Sequence, residues 1–130
     1  NSRAKPPPRD AEEKNSEKGI VTKGGLKLIF NDEELSTTIE TPNGNTVVLT
    51  DEEGYIKMTD ENGNTVQMSE DGITLDSDKD IEIKAKGDVK LEGTNIEFKA
   101  NASFKAEGSA NAEISSSGAT VIKGSLVQIN

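Results

Sequence analysis

The 130-residue sequence contains no cysteine, no histidine and no tryptophan, and it has one tyrosine and three phenylalanines. Without cysteine there is neither a disulfide framework nor thiolate chemistry. Without histidine a Ser-His-Asp triad is excluded, and the usual zinc and iron ligands are missing. No apolar run approaches the length of a transmembrane helix, and the N-terminus does not resemble a signal peptide. We therefore expect neither an enzyme nor a bound cofactor or metal ion.

The composition is also poor in apolar residues and rich in acidic ones. Hydrophobic residues make up 31% of the chain, and the formal net charge is -9. Such a composition is close to that of disordered chains. The negative charge argues against nucleic acid or an anionic membrane surface as an electrostatic partner.

A short repeat nevertheless runs through residues 73–130. Apolar residues occur in pairs with one residue between them, and successive pairs are seven or eight positions apart. A spacing of two places both members on one face of a strand, and turn-forming residues separate the pairs. Glycines 87, 93, 108, 118 and 124 are expected at the corners. The pairs are Ile73/Leu75, Ile81/Ile83, Val89/Leu91, Ile96/Phe98, Phe104/Ala106, Ala112/Ile114, Ala119/Val121 and Val127/Ile129.

One such step is too small to bury a core by itself. A single-chain β-solenoid needs a longer coil per turn, whereas an eight-residue step supplies one wall only. The sequence therefore predicts an all-β fold in which three identical chains intertwine as a triangular β-helix, or β-prism, with a looser β-rich neck. Eight steps would extend on the order of 40 Å. The predicted trimer core comprises Ile73, Leu75, Ile81, Ile83, Val89, Leu91, Ile96, Phe98, Phe104, Ile114 and Val121.

The remaining chain divides into two parts. Residues 1–18 contain three consecutive prolines and many charges, which predicts an extended linker, with an SH3-type ligand as the alternative. Residues 19–72 predict the neck, and residues 73–130 the needle with its C-terminal tip. In the neck, Asn43-Gly44-Asn45 recurs nineteen positions later as Asn62-Gly63-Asn64. Asn-Gly between alternating runs predicts hairpins, with one face formed by Val47/Leu49, Ile56/Met58 and Val66/Met68.

Three local patterns allow a chemical interpretation but are better explained as turns. The carboxylates of Asp76, Asp78 and Asp80 have the spacing that opens an EF-hand loop, but Ile81 and Gly87 stand where that loop needs glycine and glutamate. The pairs Glu52/Glu53 and Asp60/Glu61 fall in predicted solvated turns, where nothing would raise a pKa. Asn101-Ala102-Ser103 fits a glycosylation sequon, which often arises by chance.

The sequence also resembles a known family. The stretches GITLDSDKDIEIKAKGDVKLEGTNIEFKA and FKAEGSANAEISSSGATVIKGSLVQIN resemble the C-terminal region of VgrG-type spike proteins. These proteins occur in type VI secretion systems and related phage-tail-like contractile injection particles. The upstream IVTKGGLKLIFNDEE and TPNGNTVVLTDEEG are similar to the segment that precedes their needle. The resemblance implies a trimeric prism at the centre of a baseplate, which pierces a target envelope when a sheath contracts.

The same resemblance implies partners and a location. The expected partners are two further copies of the chain, baseplate or tail-tube components, a PAAR-repeat tip protein or effector, and, transiently, the target envelope. The protein would occupy the bacterial cytoplasm before firing and the exterior or the target cell afterwards. Some related spikes hold a metal at a histidine-rich apex, and this chain has no histidine for such a site. The predicted tip interface is Gly124, Ser125, Leu126, Val127, Gln128, Ile129 and Asn130.

Two other classes stay open. A trimeric phage tail fibre or adhesin shaft that binds a receptor would share the prism, although Tyr55 and three phenylalanines offer little surface for stacking on carbohydrate. A structural rod without any partner is the other alternative. An enzyme is the least expected class, because a solid rod offers no pocket.

Overall fold

The computed structural model describes residues 16–130 and contains no helix within them. It divides into two compact units, one ending at Lys84 and the other spanning Ala85–Asn130. The first unit holds seven strands of five residues each: β1 (Glu17–Val21), β2 (Lys27–Asn31), β3 (Ser36–Glu40), β4 (Thr46–Thr50), β5 (Tyr55–Thr59), β6 (Thr65–Ser69) and β7 (Gly72–Asp76). The all-β prediction is confirmed.

The seven strands form one antiparallel sheet in which each strand pairs with the next along the chain. Every strand pairs over its full length, as in Thr46↔Thr59 through Thr50↔Tyr55 between β4 and β5. Alternating apolar and polar residues favour this pleated arrangement, and the turns between them are short. The result is a single layer, because the described residues include no helix or second sheet that covers either face.

Three turns along one edge of the sheet share the same geometry. They lie between β1 and β2, β3 and β4, and β5 and β6, and their glycines Gly25, Gly44 and Gly63 have φ values of 89°, 96° and 88°. These glycines are nineteen positions apart, so the predicted hairpins at Asn43-Gly44 and Asn62-Gly63 are confirmed and a third copy precedes them. Positive φ is readily adopted by glycine, which explains its recurrence.

The first copy of this turn, and strand β1 with it, was not predicted. In that copy Thr22-Lys23-Gly24-Gly25 replaces the sequence that carries Asn-Gly in the other two. The sequence does contain a pattern that indicates this turn. Thr22, Thr41 and Asp60 begin the three turns at a constant spacing of nineteen residues, and a glycine follows each of them by three positions. We refer to this edge as the glycine-turn edge.

The opposite edge carries the other three turns. They contain Asp32-Glu33-Glu34, Asp51-Glu52-Glu53 and Glu70-Asp71, and they are exposed to solvent. The chain enters β1 at this acidic edge, because Glu17 pairs with Asn31, and it leaves β7 at the glycine-turn edge, because Asp76 pairs with Thr65.

The second unit has an extended backbone interrupted by regular bends. No strand pairing within the chain is found among residues 77–130. The bends follow one another at intervals of seven or eight residues, and five of the six fall at or directly after the predicted glycine corners. They are located at Lys86-Gly87, Thr94, Asn101-Ala102, Ser109-Ala110, Ser117-Gly118 and Ser125.

The predicted division into linker, neck and needle stays a prediction. Residues 1–15 lie outside the described part, while Glu17 and Lys18 belong to β1. The sheet includes β7, which carries the first predicted needle pair, Ile73 and Leu75. The described residues also contain no helix of the length and hydropathy that could span a bilayer.

Candidate assembly surface

Strand register in the first unit places the apolar side chains in two continuous rows on one face of the sheet. Directly paired residues of antiparallel strands share a face, so a row can be followed from strand to strand. The first row is Ile20, Leu28, Ile39, Val47, Met58, Val66 and Leu75. The second row is Phe30, Thr37, Leu49, Ile56, Met68 and Ile73, in which Thr37 is the one polar member. The three pairs predicted for the neck all lie in these rows.

The described chain does not bury either row. No apolar side chain among residues 16–130 is buried. Leu28, Val47 and Val66 of the first row are half-buried, and Ile56 of the second row is 38% exposed. The exposed fraction reaches 74% at Ile73. A contiguous apolar face of this size on a folded protein marks an interaction surface.

The opposite face of the sheet is polar. The residues between the two rows point to that side, and most of them are threonine, lysine or glutamine. They are Ile29, Thr38, Val48, Lys57, Gln67 and Thr74. The sheet is therefore amphipathic, with one face suited to water and the other to an apolar partner.

The apolar side chains of the second unit are exposed to a greater extent than those of the sheet. Predicted core residues such as Leu91, Phe98 and Ile114 are 64%, 67% and 83% exposed. The rings of Phe98 and Phe104 lie on either side of one bend with their centroids 6.0 Å apart, tilted by 35°. An extended backbone that makes no hydrogen bonds within its chain leaves its donors and acceptors free for another chain. The predicted burial of these residues in a trimer core stays a prediction.

The glycine-turn edge is built from hydrogen bonds that begin at the residue before each turn. The N–H groups of Thr22, Thr41 and Asp60 donate to the carbonyls of residues 26, 45 and 64 at 2.9, 3.0 and 3.1 Å. The side chains of the same three residues accept hydrogen bonds from within their own turns. Side-chain to backbone bonds of this kind stabilise tight turns.

The Asp60 side chain accepts more of these hydrogen bonds than the Thr22 or Thr41 side chain does. Its Oδ1 accepts from the backbone N–H groups of Asn62 and Asn64, both at 2.9 Å, and its Oδ2 accepts from Nδ2 of Asn64 at 2.8 Å. These hydrogen bonds, with the backbone of Asn64 foremost, hold the pKa of Asp60 below its ordinary value of 3.8. The Asp60 carboxylate thus stabilises its own turn.

The chain leaves the sheet across the same turn. The Ser77 hydroxyl donates to Oδ1 of Asn64, and the Asp78 side chain lies where a Cβ on Gly63 would project. The β5–β6 turn therefore contacts the first residues after β7. This contact holds Ser77 and Asp78 against the turn.

The acidic side chains do not converge on a metal site. Within residues 16–130 no three potential acidic ligands are arranged to hold an ion. The former EF-hand candidates Asp76, Asp78 and Asp80 flank the end of β7, and Glu52 and Glu53 lie in an exposed turn.

The predicted tip residues are strongly exposed. Leu126 is 80% and Ile129 is 85% exposed, whereas Val127 is 48% exposed. The backbone bends at Ser125 and is extended beyond it. The C-terminal segment thus presents apolar side chains to its surroundings.

An uncovered apolar face and an unpaired extended segment are both suited to contact with further chains, and the sequence comparison agrees. Residues 36–130 match the family described as the phage baseplate V C-terminal trimerisation domain. The chain belongs to this family. The trimerisation domain supports a homotrimer and a structural role in a baseplate spike. No curated protein sequence matches the chain.

The match to the phage baseplate V C-terminal trimerisation family includes most of the apolar surface that the chain leaves exposed. The matched residues extend from the first residue of β3 to the C-terminus, so they include most of the sheet and the whole second unit.

Proposed function

We propose that three copies of this chain form the central, membrane-piercing spike of a contractile injection machine of the VgrG type. The observation that supports this function best is the single-layer sheet whose two apolar rows are exposed in one chain of a trimerisation family. Three such sheets, with their rows facing a common axis, bury those side chains in a three-sided prism. Burial of apolar area at about 25 cal/mol per Å² favours that assembly.

Each unit offers a similar number of apolar side chains for burial between copies. Each strand of the sheet places about two apolar residues on the apolar face, and each step of residues 73–130 also contributes two. A trimeric prism has few free edges, so local opening is costly.

The two parts differ in which chain supplies the neighbouring strand. In the sheet each chain pairs with itself through the glycine turns. The position nineteen residues after the third of these turns is Lys79-Asp80-Ile81-Glu82-Ile83, which contains no glycine. Without that turn the chain does not fold back. We propose that it passes to the next face, where it pairs with strands of the other two copies.

The C-terminal segment is the proposed attachment site for a tip protein of the PAAR type or an effector. Leu126 and Ile129 are exposed at the end of the chain, and an apolar platform would suit a cap better than water. We place this particle in the bacterial cytoplasm before contraction and outside the cell, or in the target cell, afterwards.

Solution mass tests the proposed assembly. Light scattering of the purified full chain at micromolar concentration is expected to give the mass of three chains, both in buffer and in mild detergent. A mass of one chain under both conditions would contradict the proposal, because the apolar rows would then be stable while exposed.

Substitution at the tip tests the proposed attachment. The variant Leu126→Asp/Ile129→Asp should lose binding of a PAAR-type tip protein while the trimer mass is unchanged. The control variant Ser125→Asp/Gln128→Asp adds the same charge without removing apolar side chains, and it should retain more binding. Equal binding by both variants would refute the platform.

A further inference from the structure

The polar positions of the needle steps alternate in charge along the chain. In the five consecutive pairs from Ile81/Ile83 to Ala112/Ile114, the residue between the two apolar members is, in order, Glu82, Lys90, Glu97, Lys105 and Glu113. In the first four of these pairs, the residue after the pair alternates with the opposite sign: Lys84, Glu92, Lys99 and Glu107. We call these the first and second charge rows. Both rows lie on the strand face opposite the apolar pairs, because alternate residues point to opposite faces.

Within one chain these charges make only exposed contacts. Lys84 Nζ lies 3.8 Å from Glu82 Oε2, and Lys105 Nζ lies 3.2 Å from Glu107 Oε2. The four side chains are 71 to 84% exposed. Exposed pairs of this kind contribute little to stability. A pair within one step needs one lysine and one glutamate, in either order. Such pairing therefore does not explain why the order of the two charges reverses from one step to the next.

Winding of three chains does explain the reversal. If each chain passes to the next face after every step, the strand beside a given step on one face is the following step of a neighbouring copy. Adjacent strands then lie about 4.7 Å apart and run in the same direction. Equivalent positions of consecutive steps become cross-strand neighbours, so Lys90 lies between Glu82 of one copy and Glu97 of another.

We propose that the two charge rows set the register in which three copies of this chain associate. This inference rests on the proposed trimeric spike. In the register described above, every neighbour within a row has the opposite sign. If identical steps lay side by side, or if one copy slipped by a single step, like charges would face each other along the rod. The apolar pairs repeat too uniformly to exclude those registers alone.

The size of the effect follows from repetition and not from any one pair. A single exposed cross-strand pair is weak, but each contact occurs three times in the trimer and the rows continue over five and four steps. Salt screens such pairs, so the preference for the correct register should be strongest at low ionic strength.

The test exchanges two charges within one step of the full chain. Lys105→Glu/Glu107→Lys keeps the net charge and the pairing within the strand, but it places like charges beside residues 97, 99 and 113 of neighbouring copies. The trimer should unfold on the order of 5 °C lower than the wild type in about 20 mM salt. The difference should shrink by at least half in about 1 M salt, where the Debye length is about 3 Å.

A third substitution provides the matched control. Glu113→Lys places a lysine beside Lys105 in the wild type and should lower the unfolding temperature. In the exchange variant it places a lysine beside the glutamate that Lys105→Glu introduces, and it should raise the unfolding temperature. Residues 105 and 113 lie in different steps without pairing inside one chain, so this reversal of sign reports contacts between copies.

The outcomes separate the two proposals. Trimers whose unfolding temperature is unaffected by the exchange, or in which Glu113→Lys has the same effect in both backgrounds, would overturn the register proposal and leave the spike intact. A wild-type chain that is monomeric at both salt concentrations would overturn the spike itself. An exchange variant that trimerises only in high salt, or only with Glu113→Lys, supports the register proposal.

Discussion

Leu35 and Gly54 occupy the same place in two successive acidic-edge turns, nineteen residues apart, and both have positive φ, at 50° and 75°. The turns have nearly the same sequence, Asp32-Glu33-Glu34-Leu35 and Asp51-Glu52-Glu53-Gly54. The left-handed conformation costs an L-residue about 1 kcal/mol or more, and glycine avoids this cost. Leu35 therefore adopts a backbone conformation that is more favourable for glycine, the residue at the equivalent position 54.

Leu35→Gly is expected to stabilise the trimer by about 0.5 kcal/mol per chain, because relief of strain exceeds the entropic cost of glycine. The reciprocal variant Gly54→Leu is expected to destabilise it by about 1 kcal/mol. Urea unfolding of both variants measures the two effects. A loss above about 1 kcal/mol in Leu35→Gly would show instead that another copy buries the leucine side chain.

Gly63→Ala is expected to cost more than Gly44→Ala, although the two glycines have nearly the same φ. Both variants lose about 1 kcal/mol to positive φ. A Cβ at position 44 meets nothing within 4 Å, whereas a Cβ at position 63 meets the Asp78 side chain. Thermal unfolding of the two variants gives the difference. In an Asp78→Gly background the two costs should become equal, and a persistent difference would place its origin elsewhere.

The Asp60 carboxylate should make stability depend on acid pH. Its pKa lies below 3.8 in the folded chain, so its contribution is complete above that value and is lost as the pH falls through the depressed pKa. Asp60→Thr introduces the residue found at the equivalent positions 22 and 41. Between about pH 5 and about pH 2.5 the wild type should lose more stability than this variant. If the stability of the wild type and that of the variant fall equally with pH, Asp60 does not contribute to the loss of stability in acid.

Ile56→Asp should prevent trimer formation, because three copies would place three carboxylates in an apolar core, and an unpaired buried charge costs several kcal/mol. Gln67→Asp adds the same charge to the opposite face and should leave the trimer intact. Light scattering distinguishes the two variants at equal concentration. Dissociation of the Gln67→Asp variant, or a trimer in the Ile56→Asp variant, would show that the apolar rows do not face the axis.

Local patterns predicted much of this chain correctly. The Asn-Gly turns, the shared face of Val47, Leu49, Ile56 and Met58, and the bends every seven or eight residues all follow from neighbouring residues. Each depends on a local cause, either the two-residue period of a strand or the conformational freedom of a turn residue. Strand β1 was missed because its turn uses Gly24-Gly25 and its strand, EKGIV, has few apolar residues.

Other features were decided only by the folded chain. The continuity of the first apolar row across seven strands, and of the second across six, depends on pairing register, which joins residues far apart in sequence, such as Leu28 and Ile39. The contacts of Asp60, Asn64, Ser77 and Asp78 likewise join a turn to a segment more than a dozen residues later. The sequence by itself determined where strands and corners occur, because those preferences are local. Tertiary structure decided that the chain pairs with itself up to Asp76 and then stops, because backbone hydrogen-bond partners are chosen by the fold and not by neighbouring residues.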